Sequence, residues 1–209
     1  MSEFHRRRNI LIISEGFEEK PYMDKILSFP NINKDAYFFL PVVNAKGNGN
    51  IIARYQYEIQ RGFYDIVLIF CDADKGSAEF HFIIEELGKR FFKNSSDAKE
   101  VFIFANPVTL QLVLSHFGEV KLTKVSKASN EKIVEKLTGV SNYKASAEQI
   151  DCIINKIHYN SLDKFKERIS KLPEDFECVP SSNFAVFLRR FESDETTWID
   201  DINSLRKNN

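Results

Sequence analysis

The sequence predicts an α/β fold, a doubly wound and mainly parallel four-stranded sheet with flanking helices, followed by a helical C-terminal extension. Two observations carry this expectation. Short apolar runs alternate with segments of helical periodicity through residues 9–120, as strands joined by crossover helices require. Past residue 120 the strand signals stop and helical stripes take over, so residues 1–120 are expected to form one domain and 121–209 an extension. With 209 residues, 43% of them apolar, the chain can bury a sizeable core.

The elements follow in order. Ile10 to Ile13 is uninterrupted aliphatic sequence, the pattern of a strand covered on both faces. Glu18 to Phe29 reads as a helix, and Tyr37 to Val43 as the second strand. That strand ends in the loop Asn44 to Asn50, where glycine and asparagine favour turns. Ile51 to Arg61 reads as a helix closed by Gly62, and Ile66 to Phe70 as the third strand. Ser77 can cap a helix whose Phe80, Ile83, Ile84, Leu87 and Phe91 recur at helical spacing. Val101 to Ala105 is the fourth strand, after which Asn106-Pro107 is expected to open a helix, with proline in its first turn, running to about Phe117. In the second half, Ser146-Ala147-Glu148-Gln149 has the form of a capping box ahead of Ile150, Ile153, Ile154 and Ile157. Leu162, Phe165, Ile169 and Leu172 make another stripe, ended by Pro173. A last helix is expected from Ser182 to Phe191, before a polar end that contains the sole tryptophan, Trp198.

Charge limits the classes of partner. The formal net charge of −1 excludes a globally basic nucleic-acid binder and leaves room for a local patch. Residues 121–171 hold 11 Lys and Arg against 6 Asp and Glu, so the middle helical segment is the basic one. It reads either as a solvated helix face or as a phosphate-gripping surface. No apolar run approaches the roughly 18 residues that span a bilayer, and Arg6-Arg7-Arg8 precedes only a four-residue apolar stretch. A cytoplasmic protein with no membrane partner is expected. Cys71, Cys152 and Cys178 lack any paired spacing, which argues against a disulfide framework or a thiolate zinc site. Cys71 reads as a small buried filler.

Chemistry is concentrated in two acidic stretches, Glu15-Gly16-Phe17-Glu18-Glu19 and Cys71-Asp72-Ala73-Asp74, each directly after a predicted strand. In an open α/β sheet the ligand crevice lies outside the carboxyl ends of the strands, so the two stretches can converge. Gly16 permits a tight turn or close approach of a ligand. Glu19 lies one helical turn from Glu15 on the same face if the helix has begun, while Glu18 is expected to point away into solvent. Asp72 and Asp74 alternate along an extended backbone and so share one side, with Ala73 opposite. Carboxylates gathered this way repel one another unless a cation sits among them, and a hard ion such as Mg²⁺ or Mn²⁺ suits oxygen ligands. Each acid also has a plainer reading. The glutamates favour a helix N-terminus, and the aspartates favour a turn before Gly76.

An apolar strand, Glu-Gly-x-x-Glu, a helix, and later an apolar strand with Asp-x-Asp resembles the pattern of the Toprim domain. That domain is shared by topoisomerases, bacterial primases, small RNA maturases and overcoming-lysogenization-defect nucleases. The resemblance covers roughly residues 9–120. Within the group the chain looks most like RloB-like and abortive-infection Toprim proteins, through Pro21-Tyr22 after the glutamate motif, Asn106-Pro107 after the fourth strand, and His116-Phe117. It departs from that pattern at Leu110 and Leu112, which stand where a glutamate and a tryptophan are usual.

The resemblance implies Mg²⁺-dependent phosphodiester hydrolysis of RNA or DNA in an antiphage or abortive-infection setting. Asp72 and Asp74 would be metal ligands, Glu15 a ligand or general acid/base, and Glu19 a further ligand. Lys75 beside the acidic loop, Asn106 at the end of the fourth strand, and Lys46 in the glycine-rich loop are candidates for substrate contact. Each has an ordinary role as well: solvated lysines, and a helix cap for Asn106. His116 on an apolar face reads as a core residue rather than a general base. A second reading is a non-catalytic metal- or nucleotide-binding sensor that works with a partner ATPase or as a homo-oligomer. A primase-like polymerase finds no zinc-binding element in the sequence.

Overall fold

The two most continuous aliphatic runs of the chain pair with each other at the centre of the sheet. The computed structural model describes residues 6–74 and 76–207. Among these, the strands are β1 (Arg8–Ser14), β2 (Tyr37–Phe39), β3 (Val43–Asn44), β4 (Ile66–Asp72), β5 (Phe102–Asn106) and β6 (Ser181–Ser182). Their order is β2-β1-β4-β5-β6, with β3 also on β1, and every pair is parallel except β5 with β6. The molecule is therefore α/β, with a mostly parallel sheet flanked by helices. Ile10 to Ile13 and Ile66 to Cys71 are all buried, as strands covered on both faces must be. Each such Ile or Leu contributes roughly 1.5–3 kcal/mol of burial free energy.

Topology decides where a site can lie. From β1 the chain passes through α1 (Glu19–Leu27) to β2 and β3 on one side. It then crosses through α2 (Ile51–Arg61) to β4 on the other side. The reversal puts a crevice at the carboxyl ends of β1 and β4, the place where ligands bind in open α/β sheets. The helix α3 (Ala78–Phe91), capped by Ser77 through the amide of Phe80, leads to β5.

Several expectations need correction. The second strand is not continuous from Tyr37 to Val43; it breaks into β2 and β3 around Pro41, which has no N–H for the ladder. Asn106 belongs to β5 and the next helix, α4, spans only Leu110–Ser115, so Pro107 precedes the helix instead of occupying its first turn. Strands also do not end at residue 120. Ser181 and Ser182 pair antiparallel with Asn106 and Ala105, and the Asn183 side chain continues the ladder. Its Oδ1 accepts from Phe104 N (2.9 Å) and its Nδ2 donates to Phe102 O (2.7 Å). This covers the open edge of β5.

The C-terminal residues share the core of the sheet. They form α5 (Lys127–Thr138), α6 (Ala147–Asn155), α7 (Leu162–Ile169), α8 (Phe184–Glu192) and α9 (Thr197–Ser204). Phe184 of α8 packs its ring 5.9 Å from Phe70 of β4 and 5.8 Å from Tyr22 of α1. The expected polar end is instead an amphipathic helix. Trp198 is buried, and its indole N–H donates to the Tyr37 hydroxyl at 2.9 Å. His116 is buried as a core residue, stacked on Phe165 at 3.7 Å with Nε2 3.1 Å from the Tyr22 hydroxyl. Burial and nearby Arg168 push its pKa down to about 3.

One contact in this packing tolerates no side chain. At Gly88 of α3 a Cβ would stand 2.4 Å from the backbone Cα of Ser95, inside any real contact distance. Gly88→Ala should therefore cost about 2 kcal/mol by forcing the 91–96 turn off the helix, despite the better helix propensity of alanine. Denaturant unfolding checks this; a variant as stable as wild type would show that the turn yields freely.

Candidate functional site

The cleft at the β1/β4 switch point has a volume of about 250 Å³ and gathers Glu15, Glu18, Glu19, Asp72 and Asp74 on its walls. Glu15 and Asp72 come from the ends of the two central strands. The Glu15 amide donates to Phe70 O (3.0 Å), extending the ladder, and Glu15 Oε2 accepts from Asp72 N (3.0 Å). The two acidic stretches are thus joined directly.

Each remaining acid is placed by local backbone. Glu19 opens α1 and turns its carboxylate back, so that Oε2 accepts from Gly16 N at 2.9 Å. A Cβ on residue 16 would stand 3.0 Å from that oxygen, a tight contact that the glycine avoids. Asp72 is the last residue of β4, and its Oδ1 accepts from both the amide (2.6 Å) and the hydroxyl (2.7 Å) of Thr109. Asp74 does not continue the strand. It takes φ +45°, with its amide donating to Pro107 O (3.1 Å), so a left-handed turn rather than extended alternation brings it back to the cleft. Glu18, expected in solvent, lines the cleft as well.

Electrostatics follow from the placement. Burial raises the pKa of Glu15 to about 7, with smaller contributions from the charges of Glu19, Asp74 and Glu79. Burial likewise raises Asp72, Glu19 and Asp74, and neighbouring carboxylates add to each shift. The cluster is therefore short of cations. Cys71, wholly buried beneath it, has its thiol pKa pushed up by burial and is no nucleophile.

The other expected contacts lie elsewhere. Lys46 is exposed on the loop whose Gly47 amide donates to Glu15 O (2.8 Å), beside the cleft without lining it. Asn106 is fully buried and its amide donates to Phe176 O (2.6 Å) and Cys178 O (2.9 Å), binding the 176–178 segment to β5. Lys75 lies outside the described residues. Sequence reasoning missed Thr109, Asn130, Val125 and Tyr143, the last three from the C-terminal segment. That segment was marked only by its charge, yet Lys124, Lys132, Lys136 and Lys144 are exposed while Asn130 and Tyr143 form the wall. Burial, together with the charges of Glu18, Asp72 and Glu19, raises the Tyr143 phenol and keeps its proton in place.

A hard divalent cation is the group the resemblance implies here, and the donor chemistry fits it. The acids around Glu15 are carboxylates whose upward shifts come first from burial and then from mutual repulsion, and a cation would oppose both. Among the described residues, no group of three or more His, Cys, Asp or Glu side chains is arranged to hold a metal ion. To hold an ion, these side chains would have to rotate from the positions seen here.

No protein-family model matches the chain, and no curated protein and no solved structure matches it.

The shifts set a pH dependence. A carboxyl group whose folded pKa is raised binds more protons folded than unfolded, so its favourable contribution is complete below the unfolded pKa of 4.5 and lost as pH rises through about 7. Glu15→Gln, which keeps an acceptor for Asp72 N, should match wild type near pH 4.5. With chelator present at pH 8 it should be more stable by up to roughly 3 kcal/mol. Thermal unfolding across this range tests it, and a gap that does not widen with pH refutes the desolvation of Glu15.

Proposed function

We propose that the chain is a divalent-metal-dependent phosphodiesterase acting on nucleic acid, a nuclease of Toprim type. The observation that carries the reading is the convergence of Glu15, Glu19, Asp72 and Asp74 in one cleft at the β1/β4 switch point, all raised by burial. A phosphate diester is an anion and would be repelled by these carboxylates alone, so the cleft reads as a cation site first. Asp72, Asp74 and Glu15 would hold the ion, with Glu19 beside them, and the bound ion would supply Lewis acidity and an acidified water. The protein's own part is positional. Thr109 locks the Asp72 carboxylate from two donors, and Gly16 locks Glu19. Glu15 serves as ligand or general acid/base, and the Tyr143 hydroxyl donates to the anion in the cleft. A role in antiphage defence follows from the resemblance alone.

The test is cleavage of single-stranded, duplex and structured RNA and DNA with Mg²⁺ or Mn²⁺. Wild type should cut at least one of these, and Asp72→Asn with Asp74→Asn should lower kcat by more than about 100-fold. Tyr143→Phe should lower kcat/KM about tenfold without loss of folded protein. Cleavage that survives loss of both aspartates would remove the assignment. Metal binding without hydrolysis of any substrate would favour a sensor subunit.

A further inference from the structure

Helix α2 carries a row of side chains that the acidic cleft does not use. Arg54, Tyr57 and Arg61 recur at three- and four-residue spacing and so share one helix face, and Phe63 follows the left-handed C-terminal residue Gly62. The Arg54 guanidinium carbon lies 5.4 Å from the Tyr57 ring centroid. That of Arg61 lies 5.6 Å from the same ring and 5.4 Å from the ring of Phe63. These are cation–π distances, so the four side chains form a ladder of alternating cations and rings. Both rings face water, Tyr57 at 53% exposure and Phe63 at 64%.

A buried acid holds the ladder in place. Glu58 is 0% exposed, with Oε1 2.8 Å from Arg54 Nη2 and Oε2 3.4 Å from Arg61 Nη1, and it accepts from the Tyr64 hydroxyl at 2.9 Å. A buried carboxylate requires such partners, so both guanidinium groups are tethered at one edge while much of each stays in water. Two cations on one buried anion leave a net positive charge, and Glu58 is the one acid between Asn50 and Tyr64. On neighbouring α3, Glu85 and Glu86 are engaged by Lys89 and Arg90.

The ladder leads away from the acidic cleft. The loop before α2 is tied to the end of β1 through Ala45 N to Ser14 O (2.8 Å) and Gly47 N to Glu15 O (2.8 Å). A one-turn 3₁₀ helix, Asn48–Asn50, then runs straight into Ile51. At 1.5 Å per residue, Arg54 stands roughly 5 Å and Arg61 roughly 15 Å along the helix from its start.

We propose that the Arg54, Tyr57, Arg61 and Phe63 face of α2 is a binding track for single-stranded nucleic acid. Guanidinium groups take phosphates, and exposed rings stack on bases that are unpaired and free to splay, which a duplex does not offer. An acidic peptide would satisfy the guanidinium groups and leave the rings unused. The inference rests on the phosphodiesterase reading only for where the strand goes next, since binding on α2 needs none of the cleft carboxylates.

Fluorescence anisotropy of short end-labelled oligo(dT) and oligo(U), with the full chain at low salt and in chelator, tests the track. Wild type should bind both single strands more tightly than a duplex of equal length. Tyr57→Ala and Phe63→Ala, both surface truncations, should each weaken binding roughly fivefold or more. The combined Arg54→Gln, Glu58→Gln and Arg61→Gln variant removes the buried anion together with its partners. It should lower the slope of log K against log salt by about 1, with an unfolding curve showing the fold intact. Binding indifferent to these changes, a preference for duplex, or competition by polyglutamate as strong as by oligo(dT) overturns the proposal. Ring-dependent binding without cleavage under any divalent ion leaves the track standing and removes the hydrolysis reading. Cleavage with KM unchanged in Tyr57→Ala and Phe63→Ala does the reverse.

Discussion

The parallel pairing of β1 with β4 is the constraint on which the rest of the molecule depends. It is built from aliphatic residues buried on both faces, and it aligns Ile10 to Ser14 with Ile66 to Phe70 in register. Because the chain goes one way from β1 and the other way into β4, the carboxyl ends of this pair open into a crevice with no crossover above it. A shift of register by one residue would move Asp72 away from the Glu15 carboxylate that its amide now meets. Core and cleft are therefore specified by the same set of backbone hydrogen bonds.

Much of this was legible because the signals are local. Aliphatic runs mark the strands, Ser77 and Ser146 accept from amides three residues on as capping residues should, and Gly62 ends α2 in the left-handed conformation. The order of acids after strands located Glu15, Glu19, Asp72 and Asp74. What was not legible depends on contacts distant in sequence. Nothing about Ser181-Ser182 distinguishes a two-residue edge strand from a loop until β5 lies beside it. Trp198 looked like part of a polar tail because its partner, Tyr37, is 161 residues away. Asp74 reaches the cleft by a left-handed turn where alternation along a strand was expected, so its place in the cleft was expected for the wrong geometric reason.

Charge was the least informative guide to the C-terminal segment. Its excess of lysine left a solvated helix face and a phosphate-gripping surface both open; the residues that face the cleft from it are Val125, Asn130 and Tyr143, while four of its lysines are exposed. The reason is the cost of burial. A lysine brought into a tight wall must lose its hydration, whereas a phenol or an amide brings a hydrogen-bonding group at a small fraction of that cost. Asn130 is itself held by donating to Lys124 O at 3.0 Å. The basic count of a segment thus reports its solvent face, and the composition of its inner face must be read from spacing.

Two groups of buried acids show how differently the chain treats buried charge. On α2, Glu58 is wholly buried with a guanidinium group within ion-pair distance of each oxygen. In the cleft, carboxylates that are buried or half-buried have backbone amides and one threonine hydroxyl for partners and no cation among those contacts. Amide donors compensate desolvation only partly, which is why Glu15 titrates near neutrality instead of in the ordinary carboxylate range. A core selected for stability alone would place cations on this cluster as it does on Glu58. Leaving it open lowers the stability of the folded state at neutral pH, a cost that the large aliphatic core offsets, and the imbalance is relieved only when positive charge enters from outside.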